Sequence, residues 1–320
     1  MKKIAAIASL GWALAVSVSA AAPPAPAAPA VKGKISISGA WALYPMAIKW
    51  AEEFRKVEPG VVIDVQAGGA GKGIADTLAG MVDIGMVSRD IQPVETARGA
   101  LALAVAKDGV VATVGAGHPF LAALLKKGLT RAQLVDLWIG EKPLTWGQIL
   151  GTAEKAPVRL FTRSDACGAA ETWAAFLGGR QEDLAGIGVY GDPGLSDAVR
   201  RDPLGLGYNN INFAYDARTL RPLAGLAVVP LDLDGDRRIG PAEDFYATRS
   251  DITAAIAANR YPSPPARELY FVTRGRPASP AVSAFLRWVL DAGQAFVPET
   301  GYIRLGPEAL KAGRDKLAGR

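Results

Sequence analysis

The segment Arg163-Ser164-Asp165-Ala166-Cys167-Gly168-Ala169 places a permanent cation, a carboxylate, a thiol and small residues at a predicted strand-to-helix junction. A guanidinium beside the free N–H groups of a helix start suits an anion, because both supply hydrogen-bond donors and positive potential. Two further junctions are polar or glycine-rich, Ser38-Gly39-Ala40 and Gly68 to Gly73. The second fails as a nucleotide phosphate loop, because Gly73 follows Lys72 where that motif needs Ser or Thr. Cys167 is the only cysteine and His118 the only histidine, which excludes a disulfide framework, a zinc cluster and most metal-ligand sets. No arginine stands six residues after Cys167 to cradle a phosphoryl group, that position being Trp173. The chain therefore reads as a binding protein and not an enzyme, without an organic cofactor. His118, just ahead of Pro119, reads as a surface-loop residue.

A second chemistry lies at Asp232-Leu233-Asp234-Gly235-Asp236-Arg237-Arg238-Ile239-Gly240-Pro241-Ala242-Glu243. The spacing is that of a twelve-residue EF-hand loop, with carboxylates at positions one, three, five and twelve. Asp232, Asp234, Asp236, Arg238 and Glu243 are the expected metal-site residues, holding a structural Ca²⁺. Arg237 departs from the pattern at position six, where the sharp turn wants glycine. The alternative is an acidic turn whose carboxylates pair with Arg237 and Arg238.

These groups sit in a chain of 320 residues, half of them hydrophobic and 21% charged, so a sizeable core can form and disorder is excluded. Its 36 basic and 31 acidic residues are interspersed, which argues against a nucleic-acid partner. Residues 1–20 read as a signal peptide: Lys2 and Lys3, an apolar run from Ile4 to Val18, then small residues. No cysteine stands at the cleavage point, so a lipoprotein is not expected, and the mature protein should be soluble and exported. Residues 21–32 are a Pro/Ala linker.

From Lys34 onward short strands alternate with helices. Strands are predicted at Ile35–Ile37, Val61–Val65, Val110–Val114, Val158–Phe161 and Leu269–Val272. Thr130 with Gln133 predicts a capping box, and Ser279-Pro280 starts a helix carrying Val282, Phe285, Leu286 and Val289 on one face. This order argues for α/β layers around a mostly parallel sheet.

Several of these segments together resemble the PstS-like periplasmic phosphate-binding proteins of the phosphate ABC importer. The likeness is carried by Ser36 to Ala40 with Tyr44-Pro45 and the Trp50 to Phe54 helix, by Gln66 to Ile74, and by Val82-Asp83-Ile84-Gly85 leading to Ser88-Arg89. It continues through Asp108 to Val111, Leu129-Thr130 to Trp146, Arg163-Ser164-Asp165-x-x-Gly168, and Gly207-Tyr208 ahead of another matching strand.

The resemblance implies a two-lobed α/β periplasmic binding protein, type II-like, each lobe a mixed sheet flanked by helices. Lobe one would take 33–107 plus 269–320, and lobe two 108–268, with the EF-hand-like insertion at 232–243. Phosphate would close between the lobes against Leu43, Tyr44, Ala70, Gly71, Ser88, Arg163, Asp165, Cys167, Gly168 and Ala169. The implied partners are inorganic phosphate or a related anion and an inner-membrane ABC permease, the protein itself acting as a monomer. This chain departs from the family at Leu43, Ala70, Cys167 and Ala169, where hydroxyl side chains are usual, and has Ser88 where some members carry an acid. The alternative is an exported sensor of the same fold whose pocket takes another oxyanion or a small organic anion.

Overall fold

A computed structural model describes residues 31–320; the signal peptide expected at 1–20 and most of the expected linker lie outside the described residues. From Val31, β1 (Gly33–Gly39) leads through a 3-10 turn at Trp41–Leu43 into α1 (Tyr44–Val57). β2 (Val61–Ala67), α2 (Ala70–Ala79), β3 (Ile84–Val87) and the short α3 (Pro93–Ala97) follow. β4 (Ala100–Gly115) then carries the chain into α4 (Leu121–Lys127), β5 (Leu129–Thr130), α5 (Arg131–Trp138) and α6 (Trp146–Leu150). Next come β6 (Arg159–Arg163), α7 (Gly168–Leu177), β7 (Ile187–Val189), α8 (Gly191–Arg201), β8 (Gly205–Asn210) and α9 (Ile211–Ala214). β9 (Leu226–Val229), β10 (Leu231–Asp232) and α10 (Arg249–Ala257) precede the return strand β11 (Ala266–Arg274), after which α11 (Pro280–Val289) and α12 (Pro307–Ala318) end the chain.

The strands pair in the order β2-β1-β3-β11-β4-β8-β6-β7, with β9 also on β4. β1 is parallel to β2 and β3, and β6 is parallel to β7 and β8. β11 runs antiparallel to β3 and β4, and β8 and β9 antiparallel to β4, so each half of the sheet is mixed. β4 changes partner along its length: Ala100–Gly109 pairs with β11, and Val110–Gly115 with β8 and β9. Glu268 lies opposite Lys107 just where the partners change.

Two hydrophobic cores divide at that point, which makes the fold two-lobed. One gathers Ile35, Trp50, Phe54, Leu103, Val105, Phe271 and Phe285, the other Val110, Trp138, Trp146, Trp173, Tyr208 and Phe245. In the first, Trp50 meets Phe271 edge-on at 5.5 Å and Phe54 meets Phe285 at 5.3 Å. In the second, Trp173 stacks on Tyr208 at 5.5 Å, and Trp138 packs edge-on against both. Such rings bury large apolar areas and gain further from these orientations.

The capping box at Thr130 forms as read, with Thr130 accepting the Gln133 N–H, and Ser279 caps its helix by accepting the Val282 N–H. Three readings need correcting. The strand expected at Val110–Val114 is sixteen residues long, because the small residues of Ala100–Ala106, which carry little strand signal of their own, are held by β11. Gly207 and Tyr208 lie inside β8 and not ahead of it. His118 is buried at 4% exposure, its ring edge-on to Trp146 at 4.4 Å, so it belongs to the core and not to the surface.

Candidate functional site

Arg163 ends β6 with its side chain wholly buried. The strand end is braced from the core, where the Tyr208 hydroxyl lies 2.8 Å from Thr162 Oγ1 and accepts the Arg163 N–H at 3.3 Å. The guanidinium forks onto Asp165, donating from Nε to Oδ1 at 2.8 Å and from Nη2 to Oδ2 at 2.6 Å. Its third nitrogen, Nη1, donates to Asp192 Oδ2 at 2.7 Å. Burial is the largest single influence and disfavours the Arg163 cation, but Asp192 and Asp165 acting together outweigh it and hold the group firmly charged.

Asp165 is fixed in turn. Its Oδ1 accepts the Gly191 N–H at 3.1 Å, and its carbonyl accepts from Gln181 Nε2 at 2.7 Å. Gln181 Oε1 takes the Cys167 N–H at 3.0 Å, so one side chain clamps the turn from both sides. Cys167 is the N-cap of α7, and its Sγ accepts the Ala170 N–H at 3.4 Å. Burial pushes its thiol up to about 12, partly opposed by Arg163, so it stays a protonated cap and is a poor nucleophile near neutrality. Gly168 and Ala169 open α7, where N–H groups precede the first intrahelical bond.

The lobe-one loops meet this turn directly. Gly71 donates its N–H to the Ala166 carbonyl at 3.1 Å, while Ala70, fully buried, opens α2. A Cβ on Gly71 would lie 2.7 Å from that of Ala166, so the approach requires glycine. Ser88 sits against Gly168 and is 2% exposed. Arg89, beside it, forks onto Glu95 at 2.9 and 2.7 Å and fixes the loop after β3. Trp41 packs on Gly191 and meets Tyr190 edge-on at 6.5 Å, closing lobe one over the start of α8.

Of the expected ligand residues, Ala70, Gly71, Ser88, Arg163, Asp165, Cys167, Gly168 and Ala169 thus gather around one interlobe junction. Leu43 and Tyr44 lie in the neighbouring turn, but their N–H groups are spent on Ala40 and Trp41 carbonyls and are not free as donors in this conformation. A cleft of about 550 Å³ opens beside the junction, lined by Gly71, Arg89, Gln92, Ala166, Cys167 and Glu171.

Sequence reading missed Asp192, Asn210 and Arg267. Asn210 donates from Nδ2 to Asp192 Oδ1 at 2.6 Å, and Arg267 donates from Nη2 to Asn210 Oδ1 and from Nε to the Ser88 carbonyl at 2.9 Å. Asp108 Oδ2 lies 3.9 Å from Arg267 Nη2, with both carboxylate oxygens buried and without a hydrogen-bond partner among the described residues. Burial pushes its carboxyl up to about 6, against the pull of Arg267.

Comparison with known proteins agrees with this arrangement. The model of the PBP superfamily domain matches residues 24–292. The chain belongs to the PBP superfamily. Within that superfamily it is similar to the phosphate-binding protein PstS of Pseudomonas aeruginosa, 27% identical over 93% of this chain and 91% of that protein. It also matches phosphate-binding protein PstS 2 of Streptococcus pneumoniae at 31% identity, over 37% of this chain and 38% of that protein. The chain thus matches well under half the length of the streptococcal relatives. An ABC-type phosphate transport receptor from Vibrio cholerae has a similar fold, with a TM-score of 0.62 at 20% identity, over 85% of this chain and 100% of that one. A high-affinity periplasmic phosphate-binding protein crystallised with phosphate has a TM-score of 0.67 at 15% identity, over 88% of this chain and 93% of that one. The PstS-like resemblance read in the sequence is borne out, as is the two-lobed fold class.

The acidic loop is a separate feature of this PBP-superfamily chain, tied to the rest by β10 pairing with β5. Ligand oxygens of Asp232, Asp234 and Asp236 all lie within 4.8 Å of one another. Glu243 reaches back to the loop start, where Oε1 accepts the Leu233 and Asp234 N–H groups. Arg237 takes the left-handed conformation that position six demands, at φ 67°, and its guanidinium turns outward to the Ile149 carbonyl. The glycine-to-arginine departure therefore costs about 1–2 kcal/mol of backbone strain without placing a cation in the loop. Arg238 gives its N–H to Asp236 Oδ1 at 2.8 Å. The donor set fits a hard, oxygen-ligated cation.

Proposed function

We propose that this protein captures inorganic phosphate between its lobes outside the cytoplasm and hands it to an inner-membrane ABC permease. The observation that carries this reading is the contact of Ser88 with Gly168, which brings the loop after β3 onto the N-terminus of α7 beside Arg163. A tetrahedral oxyanion at that junction would find helix N–H donors and the Ser88 hydroxyl at once, and only with the lobes closed, while the buried Arg163, spent on Asp165 and Asp192, holds the turn beneath them. Ligand then shifts the open–closed equilibrium by its differential affinity for the closed form. The named relatives and the phosphate-bound neighbour support the ligand class.

The role is binding, without turnover: Cys167 caps a helix as a protonated thiol, and His118 is packed in an apolar core. Among the described residues no helix is long and apolar enough to cross a membrane. The acidic loop would hold a structural Ca²⁺ through Asp232, Asp234, Asp236, the Arg238 carbonyl and Glu243, fixing the segment after β10.

Calorimetric titration of ligand-stripped protein with phosphate, and separately with sulfate, tests the reading. Micromolar or tighter binding of phosphate supports it, and absence of binding by folded protein overturns it. A second reading, a sensor for another oxyanion, is favoured by the hydroxyl-free residues Ala70, Cys167 and Ala169 at the junction. Binding of sulfate or a small carboxylate in place of phosphate would select it.

A further inference from the structure

The groups around the proposed anion site are joined by a buried relay that runs from one lobe to the other. It starts at Arg163, passes from Nη1 to Asp192 Oδ2 at 2.7 Å, and leaves Asp192 by Oδ1, which takes the Asn210 amide at 2.6 Å. Asn210 Oδ1 receives Arg267 Nη2, and Arg267 Nε reaches the Ser88 carbonyl at 2.9 Å. Asp192 and Asn210 are each 1% exposed, and Arg267 is 8% exposed. The polarity of the relay leaves little freedom at each step. Asp192 accepts at both oxygens. Asn210 must accept from a guanidinium at one end and donate to a carboxylate at the other, which an amide does and a carboxylate cannot. Arg267 serves two acceptors with one rigid fork, which lysine lacks. Arg267 stands one residue into β11, where the chain crosses between the cores.

We infer that Asp192, Asn210 and Arg267 are positioning residues, which set Arg163 against Ser88 and thereby couple lobe closure to anion capture. The inference rests on the proposed phosphate site and goes beyond it, since among the described residues none of the three hydrogen-bonds to the α7 terminus. Charge alone gives the opposite expectation. Two guanidiniums, Arg163 and Arg267, already face three carboxylates, Asp165, Asp192 and Asp108. Removing the Asp192 charge would then favour an incoming anion. Removing its geometry would disfavour one, because an asparagine at 192 turns its NH₂ toward one of two donors and breaks the relay there.

The test is phosphate calorimetry and small-angle scattering, with and without phosphate, on wild type, Asp192→Asn and Arg267→Lys, each checked for native circular dichroism. The expected result is phosphate affinity at least about tenfold weaker in both variants, with the phosphate-induced compaction of wild type lost. Unchanged or tighter binding in Asp192→Asn, with compaction retained, would overturn the inference and leave Asp192 a charge-balancing group. Should wild type itself ignore phosphate, the proposed function fails, and scattering alone judges the relay. A more expanded Arg267→Lys chain would then support it, and identical curves would overturn it. Arg267→Lys keeps the charge and most of the bulk, so it remains informative if Asp192→Asn fails to fold.

Discussion

Ser88 occupies the space that the missing side chain of Gly168 leaves open. A Cβ on Gly168 would stand 2.2 Å from both the carbonyl and the hydroxyl oxygen of Ser88, a distance no packed carbon tolerates. One lobe supplies the serine and the other the glycine, so this contact reports closure directly.

Gly168→Ala should therefore hold the lobes apart while leaving both cores intact, because Ala is a good residue in the first turn of α7. We expect phosphate affinity to fall by at least about a hundredfold, the equivalent of losing roughly 3 kcal/mol of closed-state contacts. Calorimetry together with thermal melting checks this; a binding loss accompanied by an equal loss of fold would not support the closure argument.

Much of this geometry was legible locally. Arg163 and Asp165 are two residues apart, the Thr130–Gln133 capping box and the Ser279 cap lie within three, and the glycine loops advertise close backbone approach. The relay was not, because its pairings span 18, 29, 57 and 179 residues and no local pattern marks them. His118 was misplaced for a similar reason: its neighbours in sequence suggest a turn, and only the approach of Trp146 from α6 buries it. The first half of β4 was missed because alternating alanines carry weak strand preference, and the pairing with β11 decides the matter.

His118 should make the protein acid-sensitive. Burial among Phe120 and Trp146 pulls its imidazole down to about 4, slightly opposed by Asp202. A depressed folded-state value contributes stability that is complete above the ordinary value of 6.5 and is lost as pH falls through about 4. The contribution reaches at most about 3 kcal/mol by the usual conversion. Urea unfolding of wild type and His118→Phe between pH 7 and pH 4 measures it, and the variant should lose less stability over that interval.

Asp108 should act in the opposite sense. Its folded-state value is raised from 3.8 to about 6, so its contribution is complete below 3.8 and is lost as pH rises through about 6. Asp108→Asn keeps the shape and removes the buried charge. We expect it to gain stability over wild type at pH 7 by up to about 3 kcal/mol, with the gain vanishing below pH 4.

Calcium should raise the melting temperature of the chelator-treated protein by several degrees, since binding to the folded state alone stabilises by mass action. Asp236→Ala should abolish that rise without weakening phosphate binding, because the loop and the Arg163 junction share no residue. Equal melting curves in calcium and in chelator would show the loop to be a self-satisfied acidic turn.

The most direct test of phosphate capture between the lobes is a crystal structure of the protein grown with phosphate. The account predicts tetrahedral density beside the Ser88–Gly168 contact, within hydrogen-bond distance of the Gly168 and Ala169 N–H groups and of the Ser88 hydroxyl. A bound anion elsewhere in the molecule, or a closed junction with no anion in protein that calorimetry shows to be phosphate-loaded, would contradict it.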